Sequence, residues 1–191
     1  MSTVGSDPLT ARAADREPLS ALAAVLGQLR ALVASLSDAD YTRDGSAVVA
    51  GTIGGHVRHC LDHVNALLGG LATGEIDYDA RERGTAAETR PASAVALLDE
   101  QLAALAACPA DALARPLQMR MCMTRDGAPR TFATTIGREI AFVHSHTIHH
   151  NATIAALARA FGAGVPDDFG YAPATLAYLD RQSCAPSPSL R

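Results

Sequence analysis

Thr52-Ile53-Gly54-Gly55-His56-Val57-Arg58-His59-Cys60-Leu61-Asp62-His63 places three histidines at helical spacing. They have one counterpart in the chain, His144-Ser145-His146-Thr147-Ile148-His149-His150, and these two stretches hold all seven histidines of the sequence. A helix turns about 100° per residue, so His56, His59 and His63 fall within an arc of roughly 60° and face one way. His146, His149 and His150 fall within roughly 100° of one another, whereas His144 points nearly opposite His146, toward a rim or solvent. His146 and His150, at i and i+4, project side by side, as in helices that offer two metal ligands. A third imidazole from a facing helix would complete a set with coordination positions left open, an arrangement that suits catalysis better than a purely structural ion. The pattern therefore predicts one metal centre between two packed helices.

Working outward, Thr52 is a natural N-cap for a helix from Ile53 to about Leu71, closed by Thr73-Gly74. Upstream, Pro18 opens a helix whose apolar positions, Leu19, Leu22, Val25, Leu26, Leu29, Val33 and Leu36, keep helical spacing. The Asp-, Ser- and Gly-rich stretch from Ser37 to Gly51 reads as a loop, and Asp77 to Gly84 as a charged connection. Pro91 starts a third helix and Pro109 stops it. Leu117, Met119, Met121 and Met123 then alternate with polar residues and Cys122, which is the period of a strand. Asp126-Gly127 is a turn signal, with Arg130 to Ala133 as the returning strand and the methionine stripe as core packing. Thr135 caps the fourth long helix, from Ile136 to about Phe161, which Gly162 closes; a short helix follows from Pro173 to about Arg181. The sum is an all-α four-helix bundle over 17–182 with a small β-hairpin inserted before the last long helix. Residues 1–16 and 183–191 read as flexible tails.

The bulk numbers exclude more than they assign. With 191 residues, a formal charge of -4 and all 16 basic residues arginine and scattered, the chain shows no nucleic-acid footprint. No apolar run approaches the ~18–20 residues that span a membrane, and no secretory leader pattern is present, which predicts a cytoplasmic protein. Four cysteines without CxxC spacing read as free thiols; Cys60, among the histidines, reads as a small buried hydrophobe before a ligand.

Thr52 to His59 resembles the (S/T)-I-G-x-x-x-x-H segment on the second helix of the DinB/YfiT-like superfamily. Ser145 to His150 resembles its H-x-x-H-H segment on the fourth helix. The resemblance extends over roughly residues 18–180, with Asn151-Ala152-Thr153 standing where the family has Arg-Gly-Gln, and with His56 and His63 as additions. It implies a four-helix, possibly homodimeric protein with a divalent metal (Zn, Ni, Mn or Fe) on His59, His146 and His150. It also implies a metal-dependent enzyme, such as a low-molecular-weight-thiol-dependent S-transferase or isomerase acting on a small electrophile. A non-catalytic metal-binding bundle, for instance a stress-responsive dimer, is the alternative. In the enzyme reading His63 or His149 accepts a proton, and Arg58, Arg81 or Arg83 binds a substrate carboxylate if these arginines are more than solvated surface charge.

Overall fold

Leu19, Leu22, Leu26, Leu29 and Val33 recur every three or four residues, and all five are buried along α1 (Glu17–Ser35). The computed structural model describes residues 16–183; the two expected tails lie almost wholly outside them, Arg16 capping α1 and Ser183 ending the last helix. Three other long helices match the apolar periodicity: α3 (Ile53–Thr73), α5 (Pro91–Ala107) and α6 (Ile136–Ala160). Each long helix touches two others, α1 with α5 and α6, and α3 with α5 and α6, so the four close into a ring around one core. The chain is thus the expected helical bundle.

Among the described residues only α1 has the length and apolarity of a membrane span. Its apolar stripe is buried against the core of the bundle.

Between the long helices the structure is more elaborate than a loop and a hairpin. The stretch 37–51 contains α2 (Asp38–Thr42), whose cap Ser37 accepts a hydrogen bond from the Asp40 N–H and whose Tyr41 is fully buried. The charged connection begins as a strand, β1 (Glu75–Asp77), and leads to the single-turn α4 (Ala86–Thr89). A 3-10 turn (Ala110–Ala114) precedes β2 (Pro116–Met121), which pairs antiparallel with β3 (Arg130–Thr135) and parallel with β1. The insertion is therefore a three-stranded sheet. The methionine stripe packs only at its root: Leu117 is buried, Met119 and Met121 are half-buried, and Met123 is exposed. Helix α7 (Pro173–Ser183) closes the described chain.

Two local devices fix the ends of α3. At its start, Thr52 Oγ1 accepts the Gly55 N–H at 2.9 Å, and Gly54 packs so closely that a Cβ would collide with the Glu88 carbonyl and the Tyr41 ring. At its end, Gly74 adopts φ 80°, a left-handed cap that glycine takes at no steric cost, and turns the chain into β1. The sheet then joins the C-terminal end of α3 to the start of α6, so the two helices run antiparallel.

Substituting Gly54→Ala should force α3 off α4 and cost about 1–3 kcal/mol, the usual penalty for overpacking. Denaturant unfolding with an unchanged midpoint would contradict this account of the helix start.

Candidate metal centre

Because α3 and α6 are antiparallel, each turn forward on one meets a turn backward on the other, and the histidine pairs follow this register. His56 lies against His150, His59 against both His150 and His146, and His63 against His146 and Phe142. One nitrogen from each of His59, His146 and His150 falls within 4.8 Å of the others. These are the three residues the sequence resemblance named as ligands, and the structure brings them together.

The donor set fits a transition-metal ion. His59 Nε2 and His146 Nε2 stand 3.0 Å apart. Two nitrogens each ~2.1 Å from a shared ion at an angle near 90° would be separated by about that distance. Burial, and then repulsion from His63, His150, His146 and Arg81, pushes His59 down to about 3. Burial, followed by His63, His149 and Arg81, pushes His146 down to about 4. Burial, followed by His146, His56, His149 and His63, pushes His150 down to about 3. At neutral pH these rings are uncharged, and the neutral imidazole is the form that ligates metal.

Around this triad several neighbouring groups have defined partners. His63, only 6% exposed, donates its Nδ1–H to the His59 carbonyl at 2.9 Å, because a carbonyl can only accept. Its Nε2 is thereby left with a free lone pair. The ring is sandwiched by stacking on His146 (centroids 4.1 Å) and Tyr78 (5.1 Å). Tyr78 donates its hydroxyl to Glu139 at 2.8 Å, and the fully buried Glu139 also accepts from Thr134 and Arg138. Burial and the adjacent carboxylate hold the Tyr78 hydroxyl well above the ordinary phenol range, so it stays a donor. On the outer side, Arg81 donates to His59 Nδ1 at 3.1 Å. A cavity of about 430 Å³ opens beside the triad, lined in part by His56, Arg58, His59, Glu88 and His150.

A profile of the DinB superfamily matches residues 21–154. The chain belongs to the DinB superfamily. A crystal structure of a DinB-like protein from Bacillus subtilis, YjoA, superposes with a TM-score of 0.58, covering 78% of this chain and 95% of that one. At 15% identity that likeness is one of fold. FK506-binding protein 5 of Rhizopus delemar is 41% identical over 51 residues, 27% of this chain; the chain spans 13% of that protein's length.

In this DinB-superfamily chain the other sequence candidates have distinct settings. His149 is exposed, its ring 5.3 Å from His150 and outside the triad. His144 is half-buried and takes no part in the cluster. Cys60 is fully buried in the core, and burial pushes its thiol up to about 12, which withholds a thiolate from any ion. Arg58 is pinned between Asp62 (2.6 Å) and Glu88 (3.3 Å), while Arg83 is exposed in the connecting loop. Tyr78 and Glu139 are the site residues that sequence reading missed. Glu139 sits seven residues before His146, on the same helical face, and that acidic residue on a histidine stripe was the available signal.

The histidines also make a statement about stability. The values of His59, His146 and His150 lie below the ~6.5 of a free imidazole. The unfolded chain therefore binds protons first, and folding is weakened as pH falls from about 6.5 toward 4. With chelator present, the denaturation midpoint should drop between pH 7 and pH 4.5, and His59→Gln should drop less. Parallel losses in both proteins would contradict the burial of neutral imidazoles.

Proposed function

We propose that the protein binds one divalent transition-metal ion through His59, His146 and His150 and acts as a thiol-dependent transferase or isomerase on a small electrophile. The observation that carries this reading is the convergence of three neutral imidazoles from two helices beside a 430 Å³ cavity. Family membership supports the metal, and the donor set accepts Zn, Ni, Mn or Fe. When bound, such an ion supplies the lowered pKa that turns a low-molecular-weight thiol into a thiolate near neutral pH.

The chain's own residues supply the rest. His63 presents an unused Nε2 lone pair while its Nδ1–H is committed, so it can accept the thiol proton without changing its ring orientation. The stacked rings of Tyr78 and His146 hold it in place, and Glu139 holds Tyr78. This geometry favours His63 over His149 as the acceptor, since an exposed imidazole exchanges protons with solvent. Arg81 is the arginine freest for an anionic cosubstrate: Arg58 already satisfies two carboxylates, whereas Arg81 is exposed and spends its guanidinium on an uncharged ring. With His59 Nδ1 accepting from Arg81, the His59 proton sits on Nε2. Were Nε2 to hold the ion, that proton would have to lie on Nδ1, and Arg81 would lose this acceptor.

His146→Ala should lose most bound metal while its far-ultraviolet circular dichroism stays helical. The wild-type protein should conjugate model electrophiles with glutathione or mycothiol in a chelator-sensitive manner. Equal metal content in mutant and wild type would remove His146 from the ligand set. Metal binding with no conjugation across a broad thiol panel would leave the non-catalytic bundle as the reading.

A further inference from the structure

The ends of α3 and α5 and the 3-10 turn enclose a groove of about 360 Å³ with no histidine in its lining. Leu68, Leu71, Ala104, Ala107, Pro109 and Ala112 make it apolar, and Cys108 and Arg115 complete it. Leu68, Leu71 and Ala112 are half-buried, whereas Ala104, Ala107 and Pro109 are exposed. A contiguous apolar surface that faces water marks a place where something docks.

The described chain begins beside this groove. Arg16 donates to the Cys108 carbonyl at 3.0 Å and to the Ala106 carbonyl at 3.1 Å, so it caps the last turn of α5. Ala107 and Cys108 belong to the groove, and the fifteen residues that precede Arg16 therefore start from its edge. Seven residues connect Leu9 to Arg16, and an extended chain of that length spans about 23 Å. That reach is ample for a groove of this volume. Charge adds a second argument. Arg115 donates to the Leu71 carbonyl, and among the described residues neither Arg16 nor Arg115 pairs with a carboxylate. Two guanidiniums beside an apolar floor fit a short apolar segment that carries an acid. Asp7-Pro8-Leu9 has that composition.

We propose that this groove is the docking site of the chain's own N-terminal segment, with Leu9 seated against Leu68, Leu71 and Ala107 and Asp7 paired with Arg115. The short tether makes the contact intramolecular, so the segment meets the groove at high effective concentration and little closure entropy is lost. Burying Leu9 supplies the apolar gain, and the exposed ion pair sets the direction in which the segment lies. The proposal is independent of the metal reading, since the groove shares no residue with the triad or its cavity.

Amide hydrogen exchange on the full chain at pH 7 tests it. Residues 9–14 should exchange about 10-fold more slowly than in a free peptide of the same sequence. Leu9→Asp should abolish that protection and speed exchange over 110–115 by about the same factor. Arg115→Gln should remove about threefold of it, the share of one exposed ion pair. Free-peptide rates over 9–14 in the wild type, or a Leu9→Asp variant that exchanges as the wild type does, would overturn the proposal. Protection that fades on dilution would overturn it too, by making a second copy of the chain the occupant. A benzophenone side chain in place of Leu9 gives an independent readout. Its crosslinks should fall within the same chain on 68–71 and 104–112, and crosslinks elsewhere would contradict the docking.

Discussion

The antiparallel register of α3 against α6 is the constraint on which the rest depends. A helix repeats about every 3.6 residues, so histidines at 56, 59 and 63 descend one face of α3 in successive turns. On α6, His146 and His150 and the aromatic Phe142 ascend to meet them. A slip of one helical turn, about 5.4 Å, would pair His59 with Phe142 or with Ile154 and disperse the triad. Features with no imidazole in them hold the two ends of α3: the tight seat of Gly54 on α4, and the β1–β2 pairing through which the chain leaves α3.

Bringing so many titratable rings together is electrostatically costly, and the packing answers the cost by keeping them neutral. Each ring is half-buried or more, and burial heads the causes that lower the values of His56, His59, His63, His146 and His150. On the side of His63 the polar groups are bonded: His63 to the His59 carbonyl, Tyr78 to Glu139, and Glu139 to Thr134 and Arg138. Glu139 is a buried carboxylate with three donors, the condition under which such a charge is tolerated in an interior. The outcome is a set of uncharged, closely packed imidazoles, the charge state in which histidine ligates a metal.

The long helices and the histidine faces were legible because helical periodicity and capping act over a few residues. Thr52, Thr135, Pro91 and Gly162 mark their elements by local chemistry alone. The pieces that were not legible owe their existence to distant partners. Glu75-Ile76-Asp77 is too short to carry a strand pattern, and it is a strand only because it pairs with Gln118-Met119-Arg120. Tyr78 read as loop because nothing nearby in sequence announces the buried carboxylate of Glu139, which its hydroxyl meets. The α2 turn did carry a signal, Ser37 with Asp40 three residues on, hidden within a stretch whose glycine and aspartate content speaks for a loop. At the site, spacing gave direction and left depth open, which is why exposed His149 and buried His63 looked equivalent.

X-ray absorption on wild-type protein loaded with one equivalent of Zn2+ tests the convergence of α3 and α6 imidazoles on one ion most directly. The expected spectrum shows three imidazole shells at about 2.0–2.1 Å with oxygen completing the coordination. A spectrum with one imidazole or none, or with sulfur, would show that the two helices do not share an ion.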